Sequence, residues 1–443
     1  MIHKISSKRF RAFKETEIPL SKINIFLGPN NSGKSAILSI LSVLAQTFDS
    51  IDSSLPLQLK GKMEDLGTYQ DIVYENDIAR DIQLSLDFSY GSMRQDKNKP
   101  NIVRISVDFH YQRRHKKIEI KSIEVFYPPN DLVLRTRKSS SSDRQLIDFV
   151  PKDYEGVPTG SGTWNCIDLL HYVPFVSPYY GLDTDERYYR ALRRLGRFTY
   201  GIAREFGRQA SSIYSIGPFR KSPERLYTYS GESPSEIGVH GEKCIDILAA
   251  KHNSNDLEDI QIFEKLSNWY RDAGIANKIF LDEVSTRYYQ VKLEHIDTHE
   301  SQNIADVGYG CSQILPILVA GYTIEPGSTL ILSEPEIHLH PKAQAEVGKF
   351  LFDISERDVQ LLVETHSEYL LLRLQSYIAE RKLKPEDVYV YYVYSKSDGE
   401  KKIYKRIPLG ENGYYSEDWP EGFFPEKLKE AKRIANNARQ YNQ

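Results

Sequence analysis

One octapeptide constrains this chain more than any other feature: Gly28-Pro29-Asn30-Asn31-Ser32-Gly33-Lys34-Ser35. It fits the pattern GxxxxGK[ST], in which glycines let backbone N–H groups wrap phosphate oxygens at the positive end of a helix. The β-rich run Ile23-Asn24-Ile25-Phe26-Leu27 precedes it, and apolar residues from Ala36 to Leu44 recur after it at helical spacing. The pattern therefore predicts a buried strand, a loop and a helix, which is the context the mechanism requires. There, Gly28, Pro29, Asn30, Asn31, Ser32, Gly33, Lys34, Ser35 and Ala36 form a phosphate cradle. Lys34 would reach the β- and γ-phosphates and Ser35 would ligate Mg2+, so ATP and Mg2+ are the implied cofactors.

Three later segments extend this reading. In Asp306-Val307-Gly308-Tyr309-Gly310-Cys311-Ser312-Gln313-Ile314-Leu315-Pro316, two glycines and a serine precede an apolar helix. Proline suits a first helical turn, so that helix is expected to start near Ser312 or Gln313. An N-capped helix after a glycine turn would read the same way. Further on, the apolar strand Thr329-Leu330-Ile331-Leu332 delivers Ser333, Glu334, Pro335 and Glu336 at its carboxyl end, where ligands sit in parallel α/β sheets. Glu334 could orient or deprotonate an attacking water, and His338 and His340 follow on the loop. A metal site at this His pair has no further ligand set to support it. The strand Val359–Val363 then ends in Glu364-Thr365-His366-Ser367, which places His366 where hydrolysis needs a γ-phosphate sensor.

The rest of the chain supplies organisation. Ile2–Phe13 and Glu15–Leu20 read as a hairpin, and residues 60 to 127 alternate with period two, implying antiparallel strands with one wet face. Ser139–Ser142 reads as a mobile loop, while 185 to 208 and 255 to 273 read as helices. With 443 residues, roughly three domains are allowed at about 150 residues each. Strands alternating with helices at both ends suggest one α/β domain interrupted by an insertion. Lys plus Arg total 58 against 61 Asp plus Glu, a formal net charge of −3, which excludes a whole-molecule attraction to nucleic acid or anionic membrane. Cys166, Cys244 and Cys311 have no metal-ligand spacing and make no disulfide framework. No signal-peptide core follows Met1 and no run approaches a membrane span, so a cytoplasmic protein without membrane attachment is expected.

In this order the motifs resemble the ABC-type ATPases, specifically the branch that holds the OLD (overcoming lysogenization defect), RecF and SMC-like proteins. Lys8-Arg9-Phe10-Arg11-Ala12-Phe13 is similar to its N-terminal strand motif, and Asp306–Pro316 to its signature. Ser333–Pro341 resembles its Walker B and D-loop, and Glu364–Ser367 its His switch. Ile216-Gly217-Pro218-Phe219-Arg220, Gly238-Val239-His240-Gly241-Glu242 and Trp419-Pro420-Glu421-Gly422-Phe423-Phe424 also look like stand-alone bacterial ATPases of this branch. Several of these are sensor subunits of anti-phage systems of the PARIS and Septu types.

The resemblance implies an α/β P-loop ABC-type ATPase head with a mixed sheet, split by a β-rich and helical insertion. Residues 1–90 and 213–443 would form the head, and 91–212 a partner-binding or oligomerisation region. It also implies a head-to-tail dimer or higher homo-oligomer. Nucleotide on Gly28–Ser35 of one protomer would be capped by Gly308, Gly310, Ser312 and Gln313 of the other. Glu334, His366 and Lys34 would be catalytic, and Gln70 would join Ser35 near Mg2+. One departure stands out: the position before the catalytic Glu is usually acidic and is Ser333 here. A hydroxyl holds the Mg2+ water shell less strongly than a carboxylate, which suggests slow hydrolysis.

No sustained heptad occurs between residues 45 and 300, which excludes SMC-type coiled-coil arms. Asp183-Thr184-Asp185 is the one Asp-x-Asp, with no supporting acidic cluster, so no nuclease of its own is expected. Across 186–208 seven Arg face two Glu. Tyr188, Leu192, Leu195, Phe198, Ile202 and Phe206 would share one helical face, and Arg190, Arg194, Arg197, Arg204 and Arg208 another. Together with Tyr111–Lys117, this Arg187–Arg208 helix could bind nucleic-acid phosphates or an acidic partner, or be a solvated face. Two functions remain: a defence ATPase that restrains a separate effector such as a nuclease, and a RecF-like DNA-repair ATPase that clamps DNA.

Overall fold

Continuously apolar strands and alternating strands sort into different sheets. The computed structural model describes residues 1–50, 55–90, 102–127, 132–138, 145–149, 163–165, 168–170, 173–175, 186–254, 256–395, 402–416 and 433–434, with only the backbone for some of them. Ser139–Ser142, Cys166, Asp183–Asp185 and Trp419–Phe424 lie outside these residues, as do the side chains of Arg187, Tyr188, Arg190, Leu192, Arg194, Leu195 and Phe198. The chain divides into two compact units. One is Met1–Leu20 with Ala36–Ile213, the other Ser21–Ser35 with Tyr214–Gln443.

The first unit carries an eight-stranded antiparallel sheet. Its order is Phe13–Pro19, Ile2–Phe10, Ile82–Ser89, Ile102–Gln112, Lys117–Phe126, Leu132–Lys138, Gln145–Phe149 and Thr163–Asn165. Register aligns like with like. Ile82, Leu84, Leu86 and Phe88 are buried opposite Phe109, Val107, Ile105 and Val103. Between them, Gln83 donates to Asp108 at 3.0 Å, Ser85 bonds Ser106 at 2.7 Å and Arg104 grips Asp87 at 2.7 and 2.8 Å. Such directly opposed pairs fix strand register. The helix Glu186–Ser211 packs Phe206 against Phe88 and Phe48, with ring centroids 5.6 and 5.9 Å apart, while Arg197, Arg204 and Arg208 are exposed.

Alternation over 60–81 does not produce strands, which begin only at Ile82. Local bonds win there: Asp71 accepts from the backbone N–H and the hydroxyl of Thr68, both at 2.7 Å, and caps the short helix Tyr69–Ile72. The strand Ile102–Gln112, assigned from motifs to the insertion, pairs directly with Ile82–Ser89 in the same sheet.

The second unit is built on a six-stranded mixed sheet of order Ile213–Ile216, Thr329–Ser333, Gln360–Glu364, Ile23–Leu27, Val388–Ser395 and Lys402–Ile407. Thr329–Ser333, Gln360–Glu364, Ile23–Leu27 and Val388–Ser395 are parallel, and Lys402–Ile407 returns antiparallel. Every residue of Ile23–Leu27 and Gln360–Glu364 is buried, as expected of central parallel strands. The helices Tyr309–Thr323, Pro341–Ser355 and Glu368–Ala379 contribute Ile317, Leu318, Val347, Phe350, Leu371 and Leu374 to the core. A smaller sheet of Tyr227–Thr228, Tyr288–Glu294, Lys278–Ser285 and Ser301–Asn303 and the helix Leu257–Asp272 complete the unit. Among the described residues, no helix is long and apolar enough to cross a membrane.

Candidate functional site

Because three adjacent strands are parallel, their carboxyl ends meet at one edge of the sheet. Register sets Ser333 opposite Glu364, and Glu364 opposite Phe26. The Gly28–Ser35 loop, the Glu334 turn and the His366 turn therefore leave the sheet side by side. Backbone bonds join them: Glu334 N–H donates to the Glu364 carbonyl at 2.7 Å, and Thr365 N–H to the Phe26 carbonyl at 3.1 Å.

The loop depends on its glycines. Gly28 has φ +145°, and a Cβ there would lie 2.0 Å from the Val393 carbonyl oxygen; Gly33 has φ +105°. Both conformations disfavour a side chain. Lys34, 3% exposed, donates from Nζ to the carbonyls of Gly28 and Pro29 at 2.9 and 3.1 Å, and lies 3.8 Å from Glu364 Oε1. Burial lowers its pKa, against the opposing pull of Glu364, Glu334 and Glu336. Ser35 Oγ donates to both oxygens of Glu364, at 2.9 and 3.2 Å. The helix Lys34–Phe48 begins here, and Ala36 is buried in its first turn.

Glu334 sits just past the strand end in a left-handed conformation, φ +46°, at partial exposure. Arg220 supports that turn by donating from Nη2 to the Ser333 and Glu334 carbonyls, each at 2.9 Å. Arg220 is 5% exposed, and burial pushes its pKa down to about 10 despite the favourable charges of Glu336 and Glu334. Glu336 is buried and accepts from the His366 backbone N–H at 2.6 Å, and burial raises its pKa. Burial, reinforced by Lys34 and opposed by Glu334, lowers the His366 pKa, which favours the neutral ring. Ser367 caps the helix Glu368–Ala379 by accepting from Leu370 N–H at 3.1 Å.

The helix that follows Gly308 spans Tyr309–Thr323, starting before the expected Ser312 or Gln313, and Pro316 lies inside it. The proline ring packs closely on Gly241, where a Cβ would fall 2.4 Å from Pro316 Cβ. Gly310 fits under the His338 carbonyl, and Tyr309 meets the His338 ring edge-on at 5.3 Å. Gly308 is exposed with open space where a side chain would be. Ser312 and Gln313 are buried, their side chains donating to the Tyr309 and Lys221 carbonyls at 2.8 and 3.4 Å. Asp306 pairs with Arg225. Gln70 belongs to the first compact unit, exposed in the helix Tyr69–Ile72.

Two residues were not singled out from sequence. Arg220 lay within a recognised block but had no stated role. Glu364 opens the His366 segment and carries no role of its own in the sequence pattern. The signal for Glu364 was the combination of a missing acid at Ser333 and an acid at the end of the next strand.

The AAA ATPase domain family matches residues 1–153 and 192–371, more than half of the chain and every motif from the loop to His366. The chain belongs to that family. This AAA ATPase is thus an α/β P-loop protein with a mixed sheet, and membership implies use of ATP with Mg2+ and hydrolysis. Residues 383–434 match a second family, described as a protein of unknown function (DUF3696). No curated protein matches the AAA ATPase in sequence. Solved structures similar to it include an Smc head bound to the C-winged helix domain of ScpA, at 10% identity and TM-score 0.47, over 92% of this chain and 98% of that one. The SMC head domain from Thermotoga maritima is similar at 12% identity and TM-score 0.40, over 92% and 99%. An Smc head domain with an extended coiled coil, bound to the C-terminal domain of ScpA derived from Pyrococcus furiosus, is similar at 10% identity and TM-score 0.43, over 99% of each chain.

The residues present fit a nucleotide. Ser32 Oγ is buried in the loop without a hydrogen-bond partner, and the buried Lys34 ammonium donates to two loop carbonyls, positions that phosphate oxygens would occupy with stronger, charge-assisted bonds.

Proposed function

We propose that the protein is an ABC-type switch ATPase of the OLD and RecF/SMC-like branch. It closes around ATP as a head-to-tail dimer or higher homo-oligomer, and controls a separate effector, such as a nuclease, in bacterial anti-phage defence of the PARIS or Septu kind. One observation carries the ATPase reading: Lys34, Ser35, Glu334 and His366 leave the carboxyl ends of three neighbouring parallel strands within one compact unit. Bound ATP with Mg2+ supplies the phosphoanhydride to be cleaved. Lys34 and the Gly28–Ser35 N–H groups bind its phosphates, Ser35 would hold the metal, Glu334 takes the proton of the attacking water, and His366 contacts the γ-phosphate. Glu336 is committed to the His366 backbone, which favours Glu334 as the base. Gly308 and Tyr309, open at the start of the signature helix, offer the partner-capping surface. In this reading residues 1–90 and 213–443 serve the head, and 91–212 binds partners or other protomers.

Glu334→Gln should slow hydrolysis by about 100- to 10,000-fold while ATP-dependent dimers accumulate in light scattering. Unchanged turnover would move the base elsewhere. Co-purification of a neighbouring reading frame's product, toxic on phage challenge, supports effector control. Exposed Arg197, Arg204 and Arg208 favour the alternative, a RecF-like clamp, which steeply salt-dependent DNA binding by the ATPase alone would establish.

A further inference from the structure

The departure at Ser333 poses a chemical question that the sheet register answers. Mg2+ at a nucleotide site keeps several waters and is held by one or two protein oxygens, so the protein's carboxylates act largely by orienting that shell. The strand that ordinarily brings this carboxylate ends here in a hydroxyl. Its immediate parallel neighbour, Gln360–Glu364, ends in Glu364 at the register position facing Ser333. On its other side the same strand pairs with Ile23–Leu27, which feeds the phosphate loop. Glu364 is thus the carboxylate on the strand between the loop and Glu334, 7% exposed, accepting from Ser35 Oγ and lying 3.8 Å from Lys34 Nζ.

We propose that Glu364 takes the place of the missing acid at position 333, forming with Ser35 the Mg2+ subsite of this ATPase. The inference rests on the nucleotide reading above. Two features favour it over a purely structural role. A hydroxyl that donates its proton to Glu364 keeps its oxygen lone pairs for a metal and is made more electron-rich by the donation. The carboxylate also lies at the loop edge of the sheet, where ligands bind, within hydrogen-bond reach of the Ser35 hydroxyl. With Glu364 in this role, the slow hydrolysis suggested by Ser333 is no longer required.

The test is a titration of fluorescent ATP against full-length protein, in Mg2+ and in EDTA, for wild type, Glu364→Gln, Glu364→Asp and the double variant Ser333→Asp/Glu364→Gln. Thermal melts verify folding. Glu364→Gln should weaken apparent Mg2+ affinity by about 10- to 100-fold. Affinity for ATP in EDTA should hold or improve, and Ser333→Asp should restore Mg2+ dependence in the double variant. If Glu364→Gln does not fold, Glu364→Asp carries the test, with a smaller loss in Mg2+ alone. Unchanged Mg2+ dependence overturns the proposal, as does equal loss with and without Mg2+ or failure of Ser333→Asp to rescue. Wild-type protein that binds no nucleotide would instead overturn the ATPase reading itself.

Discussion

The two compact units solve sheet formation in opposite ways. In Met1–Leu20 with Ala36–Ile213, strands alternate, and specificity lies in polar pairs facing each other across the sheet, such as Gln83 with Asp108, Ser85 with Ser106 and Asp87 with Arg104. In Ser21–Ser35 with Tyr214–Gln443, the central parallel strands are fully buried and mostly apolar, with Asn24 bonding the Leu361 carbonyl inside the sheet, and the acids and the glycine-rich loop lie at their carboxyl ends, at Glu334, Glu364 and Gly28–Ser35. Antiparallel pairing can leave one face polar, so side chains there mostly set register. Parallel strands covered on both faces can present reactive groups only where the chain leaves the sheet. The first unit is therefore tuned residue by residue along its strands, and the second gathers its acids and its glycine-rich loop at one edge.

That contrast can be broken experimentally. Phe206→Ala removes a ring packed on Phe88 and Phe48, and should cost about 3–5 kcal/mol in urea unfolding. ATP affinity of the protein that remains folded should change little, and a parallel loss of nucleotide binding would mean the units are not separable in function. Lys34→Ala should weaken ATP binding by about 100- to 1,000-fold in a fluorescence titration of protein shown by melting to be folded. Retained affinity would refute the loop's role. A double-mutant cycle on Ser85→Ala and Ser106→Ala should give a coupling of about 0.2–1 kcal/mol in the same unfolding assay. A coupling near zero would make the cross-strand pairs passive. Smallest of all, reversing charge at Arg197, Arg204 and Arg208 should leave ATP affinity within about two-fold while abolishing salt-sensitive binding of a polyanion or acidic partner. A silent result would leave that helix as surface.

Much of the second unit was legible because its signals are local. Gly28–Ser35 needs only a strand before it and a helix after it, and both are present at Ile23–Leu27 and Lys34–Phe48. Errors arose where a local rule met a distant neighbour. Pro316 reads as a helix start, yet it lies inside the helix, its ring packed on Gly241 from far away in sequence. Residues 60–81 read as strand until Thr68 and Asp71 are seen satisfying each other. Arg220 was inconspicuous in sequence, because its purpose depends on carbonyls of Ser333 and Glu334 contributed by another strand.

By itself, the sequence determined that a phosphate loop, an acid and a histidine follow apolar strands in an order suited to nucleotide hydrolysis. Those signals are written in contiguous residue types and short spacings. Only the tertiary structure decided which strands are neighbours, and with it that Glu364 faces Ser333 and receives the Ser35 hydroxyl. The reason is physical: β register joins residues that the chain keeps far apart, so an acid absent from one strand can be supplied by the strand beside it.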